Sequence, residues 1–172
     1  ERIARHAQIP VLVVRAGPAR GAVVACTDFS DPALPAVCAA ADEAKRTNDP
    51  LYVIHALETL PVAILGIEAS VIVMGSDWQQ TRRRQAVERI AAALEALEVV
   101  GQGVVIDGPI APSLVAATRD LGARLMVIGT IGRTGVTRFL MGSVAETLLR
   151  SAPCATLVVR LRRTHDARVS DG

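Results

Sequence analysis

Between residues 21 and 160, short apolar runs alternate with longer segments of helical period, and this alternation restricts the fold more than any other feature of the chain. "GAVVACT" (21–27), "LYVIHAL" (51–57), "GVVID" (103–107), "RLMVI" (124–128) and "CATLVVR" (154–160) each have the length and aliphatic content of a buried strand. Helical segments lie between them: one within "DFSDPALPAVCAAADEAKR", then 79–98, 112–121 and 142–151. Strands separated by helices form a parallel sheet with right-handed crossovers. Of the residues, 51% are apolar and only 2% aromatic, with alanine and valine dominant, a composition suited to a parallel sheet covered by helices. A chain of 172 residues is enough for one domain with a substantial core and short for two.

In the first helix Asp31 is placed to cap, and Pro32 takes the first position, where no N–H bond is lost. Its apolar stripe reads Leu34, Val37, Cys38 and Ala41, and that of the second helix Val87, Ile90, Leu94 and Leu97. Residues 58–77 are different. "EASVIVMGSDW" resembles a strand ending in a glycine turn, but Trp78 stands where the later "ARLMVIGTIG" places a second glycine. We expect an insertion with some order there.

Several functional classes are disfavoured. The net charge is +2 and no basic block is interleaved with aromatics, so no nucleic-acid groove is indicated; Arg82–Arg84 and Arg160–Arg163 read as solvated surface. Cys26, Cys38 and Cys154 form no CxxC pair and sit in apolar segments, which argues for free thiols in a reducing, cytoplasmic setting. His6, His55 and His165 have no metal-ligand spacing. The longest apolar stretch, 61–75, contains Glu68 and is too short to span a bilayer, so no membrane insertion is expected. We expect no signal peptide, and because the chain opens on Glu1 rather than methionine we expect a segment upstream.

The two ends repeat one another. "ERIARHAQIPVLVVR" (1–15) matches "ETLLRSAPCATLVVR" (146–160) at glutamate, arginine, alanine, leucine, two valines and a final arginine, at an offset of 145 residues. Both read as a helix end followed by a strand. A tandem protein accounts for this, with 1–15 the tail of a preceding homologous domain, 16–20 a linker, 21–160 the domain proper and 161–172 a flexible tail. Two unrelated helix–strand junctions of similar composition are the plainer alternative.

"GTIGRTGVTRFLMGSVAE" (129–146) carries the chemistry. Gly129 ends a strand, and Gly132 permits a bend with positive φ. Gly142 and Ser143 then open a helix whose unpaired N–H groups make an anion site. Arg133 and Arg138 on the intervening loop can screen phosphates. Asp28 follows the first strand at the same carboxyl edge of the sheet, where open α/β sheets bind ligands. The same residues also admit a reading without ligand: Ser143 and Glu146 match the S-x-x-E capping box, and close glycine approach is equally explained by another part of the protein.

The pattern Gly129-x-x-Gly132-x(9)-Gly142-Ser143, with "CTDFSDPAL" after the first strand, resembles the universal stress protein family over residues 21–160. The resemblance implies an α/β fold: a five-stranded parallel sheet in order 3-2-1-4-5, helices on both faces, and the N-terminal piece pairing antiparallel at the fifth-strand edge. It implies ATP as ligand, with Mg²⁺ or Mn²⁺ held mainly by the phosphates. Asp28 would then face the adenine–ribose end and the backbone at Ala56 the adenine. Ile128 and Gly129 would line ribose and phosphates; Gly132, Gly142, Ser143 and Val144 would cradle the phosphate chain, with Arg133 beside it. The partners implied are a nucleotide and a homologous domain, tandem or in a homodimer, joined through the fifth strand. Five linker residues, "AGPAR", span about 16–18 Å, enough to cross three strand spacings of roughly 4.8 Å.

Two positions depart from the family pattern: Arg124 replaces a residue that is often acidic, and Ala56 one that is often larger. The resemblance implies a regulatory or stress-response module with at most slow hydrolysis or phosphate transfer, since no general base lies beside the phosphate motif. The alternative is a scaffold or dimerisation domain that binds no nucleotide and acts through protein partners. Other nucleotide enzymes fit less well: G-x(4)-G-K-[ST] is absent, no G-x-G-x-x-G follows the first strand, and "TDFSDP" lacks the glycines of an adenylating enzyme's loop.

Overall fold

The computed structural model describes residues 3, 7, 9–58, 69–130 and 141–160, without the side chains of 69–76. The elements are β1 (Val11–Val13), β2 (Ala22–Cys26), a 3-10 turn (Asp31–Ala33) leading into α1 (Leu34–Thr47), β3 (Leu51–Leu57), α2 (Ala69–Ala96), β4 (Gln102–Asp107), α3 (Ile110–Asp120), β5 (Ala123–Gly129), α4 (Ser143–Ser151) and β6 (Ala155–Val159). They form one sheet in the order β1-β6-β5-β2-β3-β4. Among the described residues the sheet therefore has six strands rather than five: β2 to β6 are parallel, and β1 is antiparallel to β6. Counted from β2, the parallel strands run 3-2-1-4-5 from the β4 edge.

The central β2 is buried at every residue. Its side chains alternate between two cores, as the period of a strand requires. Ala22, Val24 and Cys26 join α3 and α4 on one face, whereas Val23 and Ala25 join α1 and α2 on the other. Between β2 and β5 the order of the strands reverses, and their carboxyl ends diverge into a crevice.

The helices differ from expectation in extent and phase. Residues 69–77 belong to α2 rather than to an insertion, and 59–68 lie outside the described residues. The expected start of this helix, residue 79, lies ten residues too late because Gly75 does not break it. One glycine costs a helix only about 1 kcal/mol, and no proline interrupts 69–96. In α2 the buried ridge is Ala86, Ile90 and Leu94, and Val87 is half exposed. Ile90 sits over Gly103, where a Cβ would come within 2.8 Å of it, so the two positions fit together by size. In α1 Leu34 is 52% exposed and Cys38 half-buried, while Ala36, Val37, Ala40, Ala41 and Ala44 face the sheet. Small side chains let this helix approach closely, so volume rather than hydropathy alone selects its inner face. The preceding 3-10 turn is capped in position by Ser30, not Asp31.

At the amino edge of the sheet Arg124 clips β5 to the end of α1. It donates to Asp49 Oδ2 at 2.5 Å, Glu43 Oε1 at 3.0 Å and Thr47 Oγ1 at 2.8 Å. Arg46 also pairs with Glu43.

Candidate functional site

The turn after β2 is fixed by its own side chains. Thr27 Oγ1 accepts from the Phe29 N–H at 3.0 Å, and Asp28 Oδ1 accepts from the N–H and hydroxyl of Ser30 at 3.0 and 2.6 Å. Phe29 takes φ +62°, a left-handed conformation that costs about 1–2 kcal/mol for a residue with a Cβ. Contacts around it offset that cost. The Phe29 ring lies 4.4 Å from the His55 ring, and the guanidinium of Arg89 stands 4.4 Å over Phe29. Arg89 also donates to the Phe29 carbonyl at 3.1 Å. His55 Nδ1 is 2.8 Å from the Thr27 carbonyl oxygen, so that nitrogen carries the proton and donates.

Across the crevice, β5 ends at Gly129. A Cβ there would meet the Pro32 carbonyl oxygen at 3.0 Å and Ala33 Cα at 3.3 Å. The close approach that demands this glycine is made by the 3-10 turn of the same chain. Beyond it, the Thr130 N–H donates to the Val159 carbonyl at 3.2 Å, and the Gly142 N–H to the Thr130 carbonyl at 2.8 Å. These bonds tie the start of α4 to the end of β5. Gly132, Arg133 and Arg138 lie outside the described residues.

The capping-box alternative is not realised. Gly142, extended at φ −63° and ψ 151°, is the N-cap, which puts Ser143 at the first helical position. Glu146 pairs with Arg150 at 2.9 Å, and its N–H donates to the Gly142 carbonyl. Helix geometry leaves the N–H groups of Ser143, Val144 and Ala145 without intrahelical acceptors. Ser143 and Val144 are exposed.

These elements enclose a cavity of about 350 Å³, within the range of small-molecule sites. The structure brings Asp28, Ala56, Ile128, Gly129, Gly142, Ser143 and Val144 together in its wall. It adds residues that sequence reasoning did not select: His55 and Glu58 around the end of β3, Arg82 from α2, and Ile110 and Leu114 from α3. Arg82 had a signal in the sequence, since Trp78 lies four residues before it on one helical face and the two stack. Cys26 also lines the cavity, and burial, assisted by Cys154, pushes its thiol up to about 12. A protonated thiol of this kind is a filler of space and not a nucleophile.

Among the described residues, no group of three or more histidine, cysteine, aspartate or glutamate side chains could hold a metal ion. Also among the described residues, no helix is long and apolar enough to cross a membrane.

The family model of the universal stress proteins matches residues 20–160. Universal stress protein MJ0531 of Methanocaldococcus jannaschii is 31% identical over 138 residues, covering 80% of this chain and 81% of that protein. Universal stress protein Rv2005c of Mycobacterium tuberculosis is 31% identical over 167 residues, covering 92% of this chain and 54% of its own length. The chain thus spans about half the length of this mycobacterial relative. Among solved structures, the universal stress protein UspA from Lactobacillus plantarum superposes with a TM-score of 0.72 at 17% identity, covering 83% of this chain and all of that one. A universal stress protein in complex with cAMP superposes at 0.58 and 23% identity, covering 84% of this chain and all of its own. With the motif, the fold and the family model coinciding on residues 20–160, the chain belongs to the universal stress protein family.

Proposed function

We propose that this protein is a nucleotide-holding regulatory module of the stress response, with ATP as ligand. The observation that carries the proposal is the N-terminus of α4, capped by a glycine and opening onto the cavity between β2 and β5. A phosphate chain suits that position because the N–H groups of Ser143, Val144 and Ala145 and the helix dipole all favour an anion. The Ser143 hydroxyl adds a further donor. Ala56, Ile110 and Ile128 offer an apolar lining for a base, and Asp28 an acceptor for ribose hydroxyls. Mg²⁺ or Mn²⁺ would ride on the phosphates, which supply hard oxygen ligands. The solved relative in complex with cAMP, another adenine nucleotide, agrees with this ligand class.

Holding is favoured over turnover. Asp28 follows β2 rather than β5, and its Oδ1 already accepts two bonds from Ser30. We assign at most slow hydrolysis to the site and a cytoplasmic setting to the protein. Calorimetric titration with Mg·ATP tests the reading: saturable 1:1 binding by the native chain supports it, and a folded chain giving no heat rejects it.

We also infer that residues 1–15 are the tail of a preceding homologous domain and that the partner surface is the β1–β6 edge. Val11 faces Val158, Leu12 faces Leu157 and Val13 faces Thr156. At the repeat offset of 145, Leu12 and Leu157 are equivalent residues, so the register centres a two-fold relation on that pair. Arg15 adds to the same edge by donating to the Leu149 and Arg150 carbonyls at the end of α4.

A further inference from the structure

We propose that Arg82, backed by Trp78, is a stacking platform for the base of the bound nucleotide; this rests on the nucleotide reading above and goes beyond the glycine motif that suggested it. Three observations meet at this residue. Arg82 projects from α2 into the wall of the cavity. Its guanidinium carbon lies 4.6 Å over the Trp78 ring, a cation–π contact that holds the charged group against the indole. The other arginines of this stretch are engaged elsewhere: Arg83 with Asp107 and the Val105 carbonyl, Arg84 with Glu88, and Arg89 with Phe29. Among the described residues Arg82 has no carboxylate or carbonyl hydrogen-bond partner, and its guanidinium rests against the indole.

Topology decides which part of the ligand it meets. The sheet runs β6-β5-β2-β3-β4, and α2 packs over β3 and β4. The α4 terminus that would take the phosphates follows β5, on the other side of β2. Arg82 therefore stands toward the β3 end of the cavity, whose wall also includes Ala56 and Glu58, where the base falls when the phosphates sit on α4. A guanidinium lying flat on one aromatic ring leaves its other face for a second π-system, as in arginine stacking on nucleobases. The indole both orients the group and strengthens its hold by cation–π attraction. Trp78 is 61% exposed and is the protein's one tryptophan, so its emission reports directly on this corner.

The test compares three probes on the full chain: ATP, adenosine and inorganic triphosphate, each titrated into native protein, Arg82→Gln and Trp78→Leu. Platform stacking predicts that Arg82→Gln weakens ATP and adenosine by the same factor, about five- to thirtyfold, and leaves triphosphate unchanged. Trp78→Leu, which keeps the cation but loosens it, gives a smaller loss in the same two probes. Native Trp78 emission changes with adenosine and not with triphosphate. Equal affinities for native protein and Arg82→Gln overturn the platform while leaving the nucleotide site intact. A loss for triphosphate as large as that for ATP overturns it in favour of a phosphate contact. Failure of all three probes to bind folded native protein rejects both this inference and the nucleotide reading. Circular dichroism of each variant verifies that the fold is retained.

Discussion

Leu12 lies opposite Leu157 in the antiparallel β1–β6 pair, and the two stand 145 residues apart, the offset at which 1–15 matches 146–160 in sequence. An antiparallel pair centred on equivalent residues is the register of a two-fold interface. In this chain β1 covers the edge that β6 would otherwise expose, because an unpaired strand edge is a template for another chain.

Removal of residues 1–15 uncovers that edge. The shortened chain is expected to associate through β6 and to double its mass in light scattering, compared with the intact chain at the same concentration. An unchanged mass would remove the β1–β6 pair as the basis of partner binding.

Gly129→Ala introduces a Cβ 3.0 Å from a carbonyl oxygen of the 3-10 turn. Backbone cannot yield as a flexible side chain can, so we expect a loss of about 1–3 kcal/mol in urea unfolding. Gly21→Ala is worse, since φ is +147° and the added carbon would stand 2.2 Å from the Gly122 carbonyl oxygen. The order of the two unfolding midpoints checks this assignment: Gly21→Ala should fall below Gly129→Ala.

The Arg124 cluster sets an acid limit on stability. A hydrogen bond from Arg46, with Arg124 behind it, holds the Glu43 carboxyl below its ordinary range, and the Thr47 hydroxyl and Arg124 do the same for Asp49. Groups with lowered folded values stabilise the protein fully above the ordinary carboxylate range, near pH 4. That contribution disappears as pH falls through their folded values. Arg124→Ala should lower stability at pH 7 by about 1–3 kcal/mol and flatten the fall in melting temperature between pH 5 and 3. Parallel melting curves against pH for native and variant protein would argue against this coupling.

Cys26 lies in the cavity wall with its thiol pushed up to about 12. At pH 8 only on the order of one molecule in ten thousand carries the thiolate. Iodoacetamide should leave Cys26 unmodified in the folded protein and label it after denaturation, as read by peptide mass. Rapid native labelling would mean that the strand end opens.

Strand positions were legible because each strand is a short aliphatic run between breakers; "LYVIHAL" coincides with β3 residue for residue. Helix faces were less so. Choosing the largest apolar side chains for the inner face put Leu34 and Val87 inward, but the sheet accepts alanines at Ala36, Ala40 and Ala86 instead. The helix start expected at 79 is too late, because residues 69–77 with Gly75 read as part of an insertion with some order; 59–68 lie outside the described residues. At the site, Asp28, Gly129 and Gly142 were recognisable because each closes or opens an element at the carboxyl edge. Arg82 and His55 were not, because what brings them to the cavity is the packing of α2 and β3, a tertiary relation that local pattern does not encode.

In the function proposed above, the first turn of α4 holds the phosphates of a nucleotide. Amide spectra of ¹⁵N-labelled protein titrated with Mg·ATP and with inorganic triphosphate test it most directly. The account predicts saturable shifts at the N–H groups of Ser143, Val144 and Ala145 with both ligands, lost in a Gly142→Val/Ser143→Ala variant that remains folded. Saturable ATP binding that leaves those three amides unmoved, or no binding at all, would contradict it.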